Sequence, residues 1–223
     1  MPVRRVTWRT DSRSGSVHHV RMLSRLRRTI SRQLSNPSGP LGRMIAAGMN
    51  RGNRAFNAQA IEALDVQAGT RVLDLGFGGG LTFGPLLERG ATVVGVDRAE
   101  DMVAAAAARH RADVGAGRIA VHAGDVLALP LEDASVDRVL TVNTVYFWPD
   151  LAPALAEVHR VLAAGGRIVI GIRDGSVMER VDPAIFTLRP AQEIASALER
   201  AGFTAAEVRT APDAASHLIT AAR

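Results

Sequence analysis

The sequence contains no cysteine and no lysine. The absence of cysteine excludes disulfides, cysteine-based metal sites and a cysteine nucleophile. All 27 basic residues are arginine, which we interpret as a compositional bias of the source genome because no site chemistry requires it. Long hydrophobic runs are also missing. The longest, Met102–Ala108, has seven residues, whereas a membrane-spanning helix needs about 18. No transmembrane helix is therefore predicted.

Acidic residues are scarce at the N-terminus. Residues 1–43 contain ten arginines and one acid and carry a net charge of +9, whereas residues 44–223 carry −4. The basic character belongs to the N-terminal segment, and this distribution argues against a nucleic-acid-binding role for the whole chain. The remaining composition, 47% hydrophobic and 22% charged over 223 residues, is typical of one globular domain with a modest appendage.

Residues 1–43 are predicted to form a basic helical extension. Between Val17 and Leu34, apolar residues recur at three- and four-residue steps with arginines between them, which indicates an amphipathic helix. Such a helix would pack on the core, or touch an anionic membrane surface or an acidic partner. An organelle transit peptide has a similar composition. Because no apolar secretory region follows the early arginines, we expect a cytoplasmic protein.

Residues 44–223 are predicted to form the main domain, in which short apolar runs alternate with helical segments after a helix at about 41–64. Strands are predicted at 71–75, 91–97, 118–122, 136–142, 167–172, 203–210 and 216–222, and helices at 82–89, 100–110, 151–162 and 190–201. This alternation predicts an α/β fold, a Rossmann-like three-layer sandwich whose seven-stranded, mostly parallel sheet carries helices on both faces. Such sheets bind ligands at the carboxyl ends of their strands.

A glycine-rich turn, Gly76–Gly80, follows the first predicted strand. Glycine permits a tight turn and lets a ligand approach the main chain closely. The spacing is D-x-G-x-G-x-G starting at Asp74, whereas the dinucleotide fingerprint would require a glycine at the position of Leu81. A carboxylate at this place would repel a diphosphate but can accept hydrogen bonds from an ammonium group. We therefore expect a cationic or zwitterionic ligand, which S-adenosylmethionine matches.

Two further carboxylates follow the next two strands. Asp97 ends the second strand, at the place where carboxylates bind the ribose hydroxyls of an adenosine. Gly124, Asp125 and Val126 follow the third strand, where the aspartate can accept a hydrogen bond from the adenine amino group and apolar neighbours can flank the ring.

In their order and spacing, these motifs resemble those of class I S-adenosylmethionine-dependent methyltransferases of the bacterial small-molecule type, with a methyltransferase type 11-like domain. The resemblance covers about residues 44–175 and includes the runs 135–139 and 160–167. It implies a cofactor site made of Asp74, Gly76, Phe77, Gly78, Gly80, Asp97, Arg98, Met102, Gly124, Asp125, Val126, Asn143 and Asn53. Within this set, Met102 and Val126 would flank the adenine, and Asn143 would face the amino-acid tail or the methyl-transfer site.

The acceptor is constrained mainly by what is missing. The segment from Asn143 to Tyr146 lacks the prolines of nucleic-acid amino methyltransferases, and known pyrimidine C5 and arsenite methylation require cysteines. Tyr146 and Trp148 would either form an aromatic wall for the acceptor or pack against the next helix. We expect a small organic or lipid-like acceptor. No catalytic base or metal ligand is identified, and O-, N- and C-methylation are not separated.

Two other functions remain open at this point. One is a catalytically inactive S-adenosylmethionine-binding accessory protein, and the other is an NAD-dependent oxidoreductase, against which the glycine spacing and Asp74 argue.

Overall fold

A computed structural model describes residues 53–174, 184–213 and 215–223. Within these ranges, seven strands form one sheet: β1 (Arg71–Leu75), β2 (Thr92–Asp97), β3 (Ile119–Ala123), β4 (Val136–Val142), β5 (Leu162–Arg173), β6 (Thr204–Thr210) and β7 (Ser216–Ala222). The strand order is β3-β2-β1-β4-β5-β7-β6. The first five strands are parallel, and β7 runs antiparallel to both β5 and β6. The predicted fold class is confirmed.

Helices cover both faces of the sheet. They are α1 (53–63), α2 (Phe83–Leu87), α3 (Glu100–Arg109), α4 (Arg111–Gly115), α5 (Leu151–Val161) and α6 (Ala191–Arg200), with a 3-10 turn at Val145–Phe147. Buried side chains of α5 and α6 share one hydrophobic cluster with the sheet, and those of α1, α2 and α3 share a second cluster. One cluster joins the sheet to α5 and α6, and the other joins it to α1, α2 and α3. The sheet is thus the middle layer of a three-layer sandwich.

Local sequence explains where α5 begins and which face it buries. The carboxylate of Asp150 accepts a hydrogen bond from the backbone N–H of Ala152 at 3.0 Å, which caps the helix. Its buried residues, Leu151, Ala154, Leu155, Val158 and Val161, recur at three- and four-residue steps and form one apolar stripe. The strands β1 and β2 are buried on both faces, as parallel strands between two helical layers must be.

Most predicted boundaries differ from the observed ones by one or two residues, and two of the differences are informative. The helix predicted at 100–110 ends at Arg109, and the separate short helix α4 follows it. The strand predicted at 167–172 begins earlier, because β5 starts at Leu162 and includes Gly165 and Gly166. There, Gly165 has φ +73° and donates its N–H to the Arg223 carbonyl at 3.1 Å. This pairing with the last residue is not visible from the local sequence.

Some predicted elements lie outside the described residues, namely the basic helix within 17–34 and the first part of the helix at 41–64. Across the described ranges, no helix combines the length and the apolar character that crossing a membrane requires.

The side chain of Arg160 on α5 anchors the segment that precedes β4. Its guanidinium donates to the carboxylates of Asp133 at 2.6 Å and Glu157 at 2.7 Å. It also donates to the carbonyl oxygens of Leu131 at 2.9 Å and Leu129 at 3.2 Å. Because this segment follows Asp125 and Val126, the arginine indirectly supports one end of the cleft described below.

We expect Arg160→Lys to lower the free energy of unfolding by about 1–2 kcal/mol, because one ammonium cannot reach two carboxylates and two carbonyls together. Urea denaturation at neutral pH measures this change. The control is Arg209→Lys, whose ion pair with Glu207 at 3.4 Å is exposed on both sides and should change stability by less than about 0.5 kcal/mol. Equal effects of the two substitutions would contradict the anchoring role of Arg160.

Candidate functional site

A cleft lies at the carboxyl ends of β1, β2, β3 and β4, and it measures about 1210 Å³ when the solvent space in front of it is included. The structure brings twelve of the predicted site residues to its wall: Asn53, Asp74, Gly76, Phe77, Gly78, Asp97, Arg98, Gly124, Asp125, Val126, Asn143 and Trp148. The cleft sits where a doubly wound sheet binds its ligands, beside the strand at which the chain order reverses.

Three predicted residues do not line this cleft. The side chain of Met102 is 2% exposed and points into the protein core from the first turn of α3. Gly80 serves the turn itself: it has φ +66°, and a Cβ there would lie 3.2 Å from the ring of Phe83. Tyr146 lies behind the wall and lines a second, smaller cleft. Met102 and Gly80 were predicted for the cofactor site, and Tyr146 was predicted to contact the acceptor or to pack against the next helix; none of the three lies on the wall of this cleft.

The backbone of the glycine-rich turn forms the floor of the cleft. The N–H of Gly76 donates to the Val96 carbonyl at 2.7 Å, which fastens the turn to β2. Gly76 has φ +72°, and a Cβ there would lie 2.3 Å from Cγ2 of Thr144, so only glycine fits. Gly78 has φ +53°, and among the described residues no atom other than those of its chain neighbours lies within 4 Å of its Cβ position. A ligand in the cleft can therefore approach the backbone of Gly78 closely.

The carboxylate of Asp97 is held by two backbone donors. Oδ2 accepts the N–H of Gly78 at 2.8 Å, and Oδ1 accepts the N–H of Ala99 at 2.9 Å. Burial raises the pKa of this carboxyl, while these hydrogen bonds and the charge of Arg98 oppose the rise. Each oxygen keeps a second lone pair with which it can accept a hydrogen bond from a ligand hydroxyl.

Asp74 is the most deeply buried acid of the cleft, with 3% of its surface exposed. Burial raises its pKa to about 7, opposed by a hydrogen bond from the Thr82 hydroxyl and reinforced by the charge of Asp97. Near neutral pH this carboxyl is therefore poised between its neutral and ionised forms. A cationic ligand group placed beside it would favour the ionised form.

The side of the cleft formed by β4 carries amides and aromatic rings. Asn143 follows β4 with φ +60°, an uncommon conformation for a residue with a side chain, and its N–H donates to the Gly171 carbonyl at 2.8 Å. Phe147 and Trp148 also line this side. The guanidinium of Arg98 lies 5.5 Å from the centre of the Phe147 ring, within range of a cation–π contact.

Sequence reasoning did not assign several residues of the wall, notably Asn57, Thr82, Thr144 and Phe147. Thr82 comes two residues after the last glycine of the turn, and Phe147 lies between two aromatic residues that were assigned. The sequence could therefore have indicated both residues as part of the wall. Thr144 directly follows Asn143, and Asn57 lies four residues after Asn53 in α1, so these two positions were also indicated by assigned neighbours. In the described part of the chain, no three acidic or histidine side chains cluster closely enough to hold a metal ion.

A family described as a methyltransferase domain matches residues 73–170. The demethylmenaquinone methyltransferase of Thermus thermophilus is 35% identical over 132 residues, which cover 58% of each chain. The nocamycin O-methyltransferase of Saccharothrix syringae is 36% identical over 118 residues, which cover 52% of this chain and 42% of that protein. The chain thus spans about half the length of the curated relatives it matches.

A solved structure of an S-adenosylmethionine-dependent methyltransferase from Aquifex aeolicus superposes with a TM-score of 0.65. The superposition covers 74% of this chain and 88% of that chain at 20% sequence identity. At that level of identity, the similarity demonstrates a shared fold.

The raised pKa of Asp74 predicts how stability depends on pH. The carboxyl binds its proton more tightly in the folded chain than at its ordinary pKa of 3.8, so stability falls as the pH rises from about 4 to about 7. Relative to Asp74→Asn, the wild-type chain should lose at least about 1 kcal/mol of unfolding free energy between pH 5 and pH 8.

Urea denaturation of the ligand-free proteins at both pH values measures this difference. Asp213→Asn is the matched control: hydrogen bonds from the Ala215 N–H and from Ser216 lower the pKa of Asp213, so it titrates below this window. A constant difference between wild type and Asp74→Asn across the window would contradict the raised pKa.

Proposed function

We propose that the chain is a class I S-adenosylmethionine-dependent methyltransferase, which transfers the methyl group of this cofactor to a small organic or lipid-like acceptor. The match of residues 73–170 to a methyltransferase domain supports this proposal. The proposal rests mainly on one observation. Buried carboxylates at the ends of β1 and β2 flank a glycine turn whose backbone faces the open space of the cleft at Gly78. This combination suits a ligand that carries a ribose at one end and a zwitterionic tail at the other.

The residues of the cleft fit S-adenosylmethionine in chemistry as well as in place. We assign the ribose hydroxyls to Asp97, whose oxygens retain free lone pairs. Asp125 and Val126 would hold the adenine, one through its carboxylate and the other through its apolar side chain. Asp74 would accept the ammonium of the amino-acid tail, and the turn at Gly76 and Gly78 would lie along the methionine part.

The sulfonium of the bound cofactor supplies an activated methyl group and a neutral leaving group. The residues of the chain then have to align the acceptor and exclude water, and alignment of this kind can supply much of the rate enhancement. Among the described residues of the wall, the titratable ones are Asp74, Asp97, Arg98 and Asp125, all of which lie in β1 or β2 or shortly after β2 or β3. The side formed by β4 presents amide, hydroxyl and aromatic groups to the acceptor.

The acceptor is proposed from the aromatic wall and from the relatives. Phe147 and Trp148 offer apolar ring surface next to Asn143, which suits an organic acceptor with an apolar body. Two relatives are named for demethylmenaquinone and for nocamycin, and the latter name specifies O-methylation. We therefore propose an organic acceptor with an apolar body. An acceptor screen would identify the atom that receives the methyl group.

The proposed methyltransferase domain comprises residues 44–223, with residues 1–43 as a basic extension. We propose that this extension, which carries ten arginines, contacts an anionic membrane surface. A cytoplasmic location stays a prediction.

Calorimetric titration with S-adenosylhomocysteine tests the cofactor assignment. We expect binding to the wild-type chain and binding at least about tenfold weaker to Asp97→Asn, because the amide presents only one acceptor oxygen. Asp133→Asn is the matched control, since Asp133 is 79% exposed and outside the cleft, and NAD is the control ligand. Binding of NAD in place of S-adenosylhomocysteine would overturn the proposal. Binding without methyl transfer to any acceptor of a broad panel would favour an inactive accessory protein.

The same titration at several pH values tests the role of Asp74. With a pKa of about 7, the ionised fraction of Asp74 rises about tenfold between pH 6 and pH 8, and the affinity for S-adenosylhomocysteine should rise in parallel. In Asp74→Asn, the affinity should be weaker and nearly constant across this range. A wild-type affinity that stays constant or falls with pH would contradict the assignment of the ammonium to Asp74.

A further inference from the structure

Two asparagines on the wall of the cleft are held by hydrogen bonds from residues outside it. Asn53 and Asn143 both line the cleft. Nη2 of Arg173 donates to Oδ1 of Asn53 at 2.9 Å, and the Tyr146 hydroxyl donates to Oδ1 of Asn143 at 3.4 Å. Neither Arg173 nor Tyr146 lines this cleft; both line the second cleft, on the other side of the wall.

The two supporting residues are also bonded to each other. The backbone N–H of Arg173, at the end of β5, donates to the Tyr146 hydroxyl oxygen, and that hydroxyl lies 3.1 Å from the Arg173 carbonyl oxygen. The tyrosine ring is 2% exposed, and its neighbours include the rings of Phe147 and Phe186. Burial raises the pKa of Tyr146 to about 12, so the hydroxyl keeps its proton at every working pH.

These contacts favour one orientation of each amide group. An arginine side chain can only donate, so the group that faces Arg173 must be the oxygen of the Asn53 amide. The Tyr146 hydroxyl receives the Arg173 N–H and has one proton to donate, which the Arg173 carbonyl at 3.1 Å and Oδ1 of Asn143 at 3.4 Å share as acceptors. When the proton points to Asn143, the atom that receives it must be the amide oxygen. Each amide therefore keeps its NH₂ group, a donor of two hydrogen bonds, for a ligand in the cleft.

The orientation of the amides gives the cleft an electrical polarity that follows the strand order. Carboxylates stand at β2 and β1, with Asp125 after β3 and the Arg98 cation directly after β2, whereas uncharged N–H donors stand after β4 and on α1. A ligand with hydroxyl and ammonium groups would place these toward the carboxylates. A ligand carboxylate would be repelled by Asp74 and attracted to the amide donors.

We propose that Tyr146 and Arg173 are positioning residues, which hold the amides of Asn143 and Asn53 so that both NH₂ groups bind the carboxylate of the cofactor's amino-acid tail. The inference rests on the proposed function, because it takes S-adenosylmethionine to be the ligand of this cleft. It assigns to Tyr146 a role behind the wall in place of the acceptor contact predicted from sequence.

The test compares two ligands that differ in the amino-acid tail. S-adenosylhomocysteine carries the tail, whereas 5′-methylthioadenosine has the same adenosine and sulfur but no ammonium or carboxylate. Calorimetric titration of both ligands is carried out on the full chain and on Tyr146→Phe, Asn143→Ala and the double variant. Thermal unfolding of each protein shows that the titrations are made on folded chains.

We expect Tyr146→Phe to weaken S-adenosylhomocysteine about three- to tenfold, the loss that accompanies one hydrogen bond, and to change methylthioadenosine binding by less than about twofold. Asn143→Ala should weaken S-adenosylhomocysteine by at least as much. Adding Tyr146→Phe to Asn143→Ala should cause no further loss, because the hydroxyl acts through the amide.

Several outcomes would overturn the inference and separate it from the proposed function. A parallel loss of both ligands in Tyr146→Phe would indicate a general structural role. Additive losses in the double variant would show that Tyr146 does not act through Asn143. If neither ligand binds the wild-type chain, the proposed function itself fails. If both bind and Asn143→Ala changes neither, only the positioning inference fails.

A second pair of variants keeps the test decisive if Tyr146→Phe does not fold. Arg173→Met removes the bond to Asn53 from a half-buried side chain and should again weaken S-adenosylhomocysteine about three- to tenfold while sparing methylthioadenosine. Its effect should vanish in the Asn53→Ala background. An unchanged affinity of Arg173→Met for S-adenosylhomocysteine would overturn the role of this arginine.

Discussion

The end of β2 is the point to which the rest of the site is fastened. The Val96 carbonyl receives the N–H of Gly76, the Asp97 carboxylate receives the N–H of Gly78, and the Asp97 carbonyl receives the N–H of Gly124 at 3.1 Å. These bonds join the turns after β1 and β3 to one short stretch of backbone. The same carboxylate that we assign to the ribose therefore also shapes the glycine turn. Its burial raises its pKa, and the hydrogen bond from the turn opposes that rise.

The chemistry of the cleft changes from one side to the other. On the side of β1, β2 and β3, the buried carboxylates of Asp74 and Asp97 and the exposed one of Asp125 favour hydroxyl and ammonium groups. On the side of β4, amide and aromatic groups favour an anionic oxygen and an apolar body. A ligand with both kinds of group has one preferred direction in such a cleft. That direction would place the adenosine over β2 and β3 and the reacting end near β4, where the proposed acceptor wall lies.

Much of this arrangement could be predicted from sequence because it depends on short-range patterns. Apolar runs give the strands, and the spacing from Asp74 to Gly80 and the strand-terminal Asp97 give the acidic side of the cleft. The other side depends on contacts between distant segments. The bond from Arg173 to Asn53 joins residues 120 positions apart, and the place of Tyr146 behind the wall is set by the 3-10 turn after β4. Met102 was misplaced because a strand-to-helix motif does not indicate which face of the helix the third residue occupies.

The most direct test of the account is a crystal structure of the chain with S-adenosylhomocysteine. We predict the ribose hydroxyls within hydrogen-bond distance of the Asp97 carboxylate, the ammonium beside Asp74, and the tail carboxylate toward Asn143 and Asn53. A ligand bound elsewhere, or bound in this cleft with its adenosine toward β4, would contradict the assignment of the site.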